Sequence, residues 1–257
     1  MNVEYHKLRP RELVQRRTEC PVAYLGLGIL EWHGLHNPLG LDGLKAHGVG
    51  CHLASRLGGI AMPPLYWGDN RAQICEVVFD PAVSPWLPEG TSDHTTSIAR
   101  EMDLPLSRLQ ANANRSTDEG GWKLWEDLLK HMLHQIESLG FPLIVIIPGH
   151  YPLFNPVERA VEAYIQEGVS SEVFVLTDRM IDPDGTSGDH AAAFETSALM
   201  AIHPGLVDLQ ALDPDPSAAP IGVLGEDPRT GASVEYGRRI LDRFVEIAGE
   251  RIEKFRT

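Results

Sequence analysis

VAYLGLGIL, residues 22–30, runs straight into EWHGLH, residues 31–36, and that junction decides how the chain reads. An apolar run of this length, closed by glycines, predicts a buried strand. Glu31, His33 and His36, with Asp42 a little further on, then fall where the strand runs out. In open α/β sheets ligands bind at the carboxyl ends of strands. Glu31 and His33 are two positions apart, so in extended backbone both project from one face. Mixed oxygen and nitrogen donors suit zinc, manganese or a related divalent ion. The cluster reads as half of a metal site.

Outward from this junction, strands and helices alternate. Asp42 precedes GLKAHGVGCHLASRL (43–57), predicted as a helix with Leu44, Val49, Leu53 and Leu57 inward, and alone Asp42 reads as its N-cap. Gly58-Gly59 ends that helix, and Ile60 to Leu65 forms a short strand. Residues 66–120 have no clean period and predict a loop insertion, about 69–118, of the kind that carries substrate contacts. From Gly121 a second helix places Trp122, Trp125, Leu129, Leu133 and Ile136 at helical spacing. LIVIIP (143–148) reads as a central parallel strand. Next come a helix over 155–167, a strand over 172–176 and a helix over 190–202, introduced by Ser187 and Asp189 as caps. After a Pro/Asp/Gly-rich loop (211–232) the chain ends in an amphipathic helix. This alternation predicts an α/β fold, a mostly parallel sheet covered on both faces. There is no internal repeat or linker, so residues 1–257 are expected to form a single domain.

Composition narrows the function classes. The 257 residues are 43% hydrophobic and 23% charged, enough for a sizeable core. A formal net charge of −14 argues against nucleic-acid binding, which needs basic surface. Cys20, Cys51 and Cys75 are scattered and show no CxxC spacing, which points to a reducing compartment. The start, MNVEYHKLRPRELVQRR, lacks an apolar h-region, and no run is long enough to span a bilayer. A cytoplasmic protein without a membrane role is the expectation.

Two more segments carry chemistry. His150, in PGHY (148–151), comes directly after the LIVIIP strand and so belongs to the same rim as Glu31 and His33 if the sheet is parallel. His190 and Glu195, in DHAAAFETS (189–197), flank the first turns of a predicted helix. Each has a bland alternative: His33, His36 and His150 as loop histidines, His190 as a helix-start residue, Glu195 as a solvated helix position. What lifts them as a set is that all fall at strand ends or helix starts, where a doubly wound sheet builds its site. His47, His52, His94, His131, His134 and His203 read as structural.

ILEWHGLHNPLGLD (29–42) resembles the signature of the creatininase (creatinine amidohydrolase) family, approximately E-x-H-G-x-H-x-P-L-x-x-D, with the Glu31 to Asp42 separation kept. MPPLYWG (62–68) is similar to that family's Pro-Pro-Leu-x-x-Gly segment, and PGHY to its Asn-Gly-His motif. DHAAAFETSALMAIHPGLVDL (189–209) closely resembles its H-A-G-x-x-E-T-S-x-x-L-A-x-x-P-x-L-V segment. The resemblance spans roughly residues 20–68 and 121–208, in order.

It implies a two-metal hydrolase on a three-layer α/β/α sandwich, usually a homohexamer, with zinc or manganese the expected ions. By resemblance, Glu31 and His150 would hold one metal and His33 the other. Asp42 would bridge both, and Glu195 would complete the ligand set of the second metal. His190 would carry protons, and His36 matches a position near the metals. The family's namesake has a Glu two residues after the His150 position, where this chain has Pro152, and Pro148 replaces the usual Asn. Proline cannot ligate, so the second metal leans on Glu195. The implied substrate is a small polar cyclic molecule opened by hydroxide attack on a carbonyl. Cleavage of a cyclic amide C–N bond comes first. The alternative is C–C cleavage of a cyclic diketone, as in a family branch of inositol catabolism, which Asp69, Asn70 and Arg71 would suit. A non-catalytic metabolite-binding protein on the same scaffold is the reading from a different class.

Overall fold

The computed structural model describes residues 2–67, 94–107, 121–181 and 189–255. Most of the expected insertion, with Asp69, Asn70 and Arg71, and the cap candidate Ser187 lie outside them. In chain order the elements are α1 (Pro10–Glu19), β1 (Val22–Leu27), α2 (Leu41–Arg56), β2 (Ile60–Ala61), α3 (Thr95–Glu101), α4 (Gly121–Ser138) and β3 (Leu143–Pro148). They continue with α5 (Phe154–Ile165), β4 (Glu172–Val175), the short α6 (Asp178–Ile181), α7 (Ala193–Ile202), the short α8 (Pro228–Gly231) and α9 (Val234–Ile252). Among the described residues no helix is long and apolar enough to cross a membrane.

The strands form one sheet in the order β2-β1-β3-β4, and every neighbouring pair is parallel. β1 and β3 run side by side from Val22↔Leu143 to Leu27↔Pro148. Both are buried along their whole length, which is why their sequences are continuous apolar runs rather than alternating ones. Alternate residues still serve different layers. Val22, Tyr24, Leu143, Val145 and Ile147 pack with Val49, Leu53, Phe194, Ala198, Ile240 and Phe244 of α2, α7 and α9. Ala23, Leu25, Leu27, Ile144 and Ile146 pack with Trp125, Leu129, Leu133, Val157 and Ala160 of α4 and α5. The result is a three-layer α/β/α sandwich.

From β1 the chain crosses to β2 on one side, then returns to β3 on the other. The carboxyl ends of β1 and β3 are therefore the topological switch point of the sheet, where its crevice opens. Backbone contact brings the start of α2 to that point. A Cβ on Gly28 would lie 2.2 Å from the Gly43 nitrogen, and one on Gly149 would lie 2.2 Å from the Asp42 carbonyl oxygen. Only glycine allows this approach, so these two residues after β1 and β3 set the position of Asp42.

Two local expectations need correction. Gly40 is the N-cap of α2, and Asp42 lies inside its first turn. α7 begins at Ala193, not His190, because His190 instead pairs with Leu224 in an antiparallel bridge. The Asp189 carboxylate caps the helix from outside, accepting from the Phe194 and Glu195 amides at 2.7 and 3.2 Å.

Candidate metal centre

Glu31 and His33 lie in the turn that leaves β1. The Glu31 amide donates to the Leu39 carbonyl (3.0 Å), closing the turn on itself. His150 comes just after β3, where the Gly149 amide extends the ladder by donating to the Leu27 carbonyl at 2.7 Å. Glu195 comes from the first turn of α7, and Asp42 from that of α2. These five side chains, separated by up to 164 positions in the sequence, converge in the crevice and are nearly inaccessible to solvent.

Their atoms pair in an ordered way. His150 Nδ1 lies 3.0 Å from Glu31 Oε1 and 3.1 Å from Asp42 Oδ2. His33 Nε2 lies 3.0 Å from Asp42 Oδ1, 3.7 Å from Glu31 Oε1 and 3.9 Å from Glu195 Oε2. The potential ligand atoms thus fall into Glu31–Asp42–His150 and His33–Asp42–Glu195, with Asp42 in both sets. A third set, Glu31–His33–His190, overlaps them.

The donor set calls for a cation. His33 Nδ1 lies 3.2 Å from the Glu31 carbonyl oxygen, which can only accept, so the ring carries its proton there in the neutral form. Its Nε2 lone pair then faces carboxylate oxygens, a repulsive arrangement unless a positive charge intervenes. With only a proton to fill that role, His33 is pushed up to about 9: burial opposes the charge, and the Asp42 carboxylate overcomes it. Against its burial, the His33 and His150 rings hold Asp42 well below the usual carboxylate range. A ligating histidine characteristically donates its other N–H to a carbonyl or carboxylate, as His33 does. The residues fit a divalent metal.

His190 and His36 sit differently. His190 Nε2 lies 2.8 Å from the Trp32 carbonyl, so the neutral ring donates there and turns the Nδ1 lone pair toward Glu31 Oε1, 3.6 Å away. Burial lowers its pKa. His36 Nε2 faces the Ala191 carbonyl at 2.9 Å and Thr196 Oγ1 at 3.1 Å, away from the carboxylates, and burial pushes it down to about 4.

The creatinine amidohydrolase (creatininase) family model matches residues 121–252, just over half of the chain. The chain belongs to the creatininase family. A creatinine amidohydrolase of Pseudomonas putida is 24% identical over 230 residues, covering 80% of this chain and 75% of the relative. A mutant creatininase of Zn-Zn type shares the fold with a TM-score of 0.68 at 23% identity, covering 99% of each chain. A manganese creatininase does so with a TM-score of 0.66 at 24% identity, again covering 99% of each.

Sequence reasoning overlooked three parts of this creatininase-family crevice. Lys45, 2% exposed, donates to Glu195 Oε1 and Asp178 Oδ2, each at 2.8 Å. It lies one helical turn beyond Asp42, and a lone lysine on the inward face of an apolar helix was the available signal. Asp178 lies just past the carboxyl end of β4, so the rule that found Glu31 and His150 would have reached it. Ala191 adopts φ +56°, a left-handed conformation that costs a non-glycine residue about 1–2 kcal/mol. There its amide donates to Glu195 Oε2 (2.8 Å) while its carbonyl accepts from His36. Nothing in the sequence marks that strain.

Proposed function

We propose that this protein is a two-metal hydrolase that opens a small polar cyclic amide at its C–N bond. The observation that carries the reading is the division of Asp42, whose two oxygens face different donor sets on opposite sides. Imidazole offers one lone pair to a metal, so a shared position needs a carboxylate. In this reading Glu31 and His150 would hold one ion and His33 and Glu195 the other, with Asp42 offering an oxygen to each. Donors around an ion at about 2.1 Å stand about 3.0–3.4 Å apart, and the closest separations here, 3.0 to 3.1 Å, lie in that range. When bound, two zinc or manganese ions supply Lewis acidity to the carbonyl and make hydroxide available near neutral pH.

The chain's own residues do the rest. His190 is neutral at pH 7 and presents Nδ1 to the crevice, so it can take a proton there and return it to the departing nitrogen. The backbone bond to Trp32 holds the ring in that tautomer throughout. Lys45 fixes one oxygen of Glu195 and leaves the other for the metal side. His36 positions the strained Ala191 that steadies Glu195. Pro152 offers no ligand at the position two residues after His150, consistent with Glu195 serving the second metal. A homohexamer is part of this reading, and exposed Trp67 and Leu124 are apolar surface that another copy would cover.

The test is a turnover screen of the purified protein with creatinine, other lactams and inosose-type diketones, run beside metal analysis. Ring opening of a cyclic amide is expected, with near two metal equivalents held by the crevice residues. Cleavage of a diketone alone would replace the C–N assignment with the C–C one. Failure to retain metal under metal-replete conditions would sink the enzyme reading and leave a binding protein. Light scattering tests the hexamer.

A further inference from the structure

A second convergence of metal-ligating side chains lies outside the crevice, on the solvent flank of α2. His47 and Cys51 are four residues apart on that helix and so share a face. Glu4 reaches them from the amino-terminal segment, which is pinned beside β2 by the parallel bridge between Glu4 and Ala61. Glu4 Oε1 lies 3.1 Å from His47 Nε2, and Cys51 Sγ lies 3.5 Å from the same nitrogen. All three ligand atoms are within 4.8 Å of one another, and all three residues are half-buried. Lys7 occupies the other oxygen of Glu4, which fixes the carboxylate with Oε1 toward the ring. His6 Nε2 stands 3.6 Å from Oε1, near enough to approach as a further donor.

The two separations to His47 Nε2 are close to those of a tetrahedral zinc site. With zinc–ligand bonds of about 2.0–2.3 Å, a nitrogen and a sulfur stand about 3.6 Å apart, and a nitrogen and an oxygen about 3.4 Å. Observed values of 3.5 and 3.1 Å need only side-chain adjustment. In the metal-free state burial pushes the Cys51 thiol up to about 11, so it is protonated and a poor redox nucleophile. A thiol-based switch is therefore the weaker explanation of the cluster. A thiolate ligand favours zinc over hard oxygen-seeking cations.

We propose that Glu4, His47 and Cys51 form an additional zinc site, which ties the amino-terminal segment to the helix that carries Asp42 and Lys45. On binding, the Cys51 S–H proton passes to solvent and a zinc–sulfur bond forms, with no change of oxidation state. Solvent or His6 fills the fourth position.

The thiol makes the site separable from the crevice, whose donors are only oxygen and nitrogen. Full-length protein produced with cobalt in place of zinc should show a thiolate-to-cobalt charge-transfer band in the near ultraviolet. That band should vanish in Cys51→Ser and persist in Cys20→Ser and Cys75→Ser. In zinc-grown protein, Cys51→Ser and His47→Gln should each lose one zinc equivalent relative to the parent. A missing band in the parent, or one that survives Cys51→Ser, overturns the proposal whatever the crevice binds. Should Cys51→Ser fail to fold, His47→Gln decides: an unchanged cobalt spectrum overturns the site, and a weakened or shifted one supports it.

Discussion

The two sides of Asp42 are built unequally. On the Oδ2 side, His150 comes from the end of β3 and lies 3.1 Å from Asp42 and 3.0 Å from Glu31, which follows the adjacent parallel β1. Backbone packed through Gly28 and Gly149 fixes that side. On the Oδ1 side His33 lies 3.0 Å from Asp42, but Glu195 stands 3.9 Å from His33 and is engaged by Lys45 and by the Ala191 amide. One position is thus framed by the sheet, and the other by a side chain held through partners. A binuclear centre assembled this way should bind its two ions with different affinities, the sheet-framed one first.

The largest effect is expected at the shared residue. Asp42→Ala should remove both crevice ions and reduce turnover to background, read by metal analysis and by the assay on the same preparation. If the variant, made in a Cys51→Ser background, still keeps one tightly held ion, the two sides are independent and the shared-ligand reading fails.

Next comes His190, which touches the sheet-framed side without being needed to hold it. His190→Ala should retain both ions and lower kcat by about 10²–10⁴, the range for losing a proton carrier. Loss of a metal equivalent instead would promote the overlapping Glu31–His33–His190 set and make His190 a ligand.

The partner-held side is separately addressable. Lys45→Met frees Glu195 Oε1 and should weaken one ion by about 10–100-fold, the scale for residues that orient ligands. The other ion should titrate as in the parent. Competition with a graded chelator resolves the two, and equal weakening of both would erase the asymmetry.

The same division marks what the sequence could reveal. The sheet-framed side is written in contiguous signals: an apolar run, then ligand-type residues, at both VAYLGLGIL-E and LIVIIPGH. The parallel order of β1 and β3 needs only the alternation of elements to be inferred. Glu195 was reached through its motif, but its support was not. Lys45 and Asp178 become partners only when α2 and α6 pack together, a tertiary fact with no local period. The N-cap expected at Asp42 failed for a related reason. Its side chain is taken up by His33 and His150, so it cannot serve the amides of α2, and the chain enters the helix at Gly40.

The smallest effect concerns pH, at the ring beside the partner-held side. His36 is buried as a neutral ring, with its pKa moved by desolvation from 6.5 to about 4. Between those values the unfolded chain takes up a proton at this position that the folded chain refuses. Stability must then rise with pH through the window, and it is lost as pH falls from about 6.5 to about 4. The full contribution is about 3 kcal/mol, at 1.36 kcal/mol per pKa unit. Either charge state of the ring donates from Nε2 to the Ala191 carbonyl, so what opposes the charge is the burial of the ring and not the loss of that bond. His36→Gln keeps a donor but cannot titrate. Urea unfolding of metal-free protein at pH 7 and pH 5 should show a smaller loss for this variant than for the parent. Identical losses would mean that His36 takes no part in the acid response.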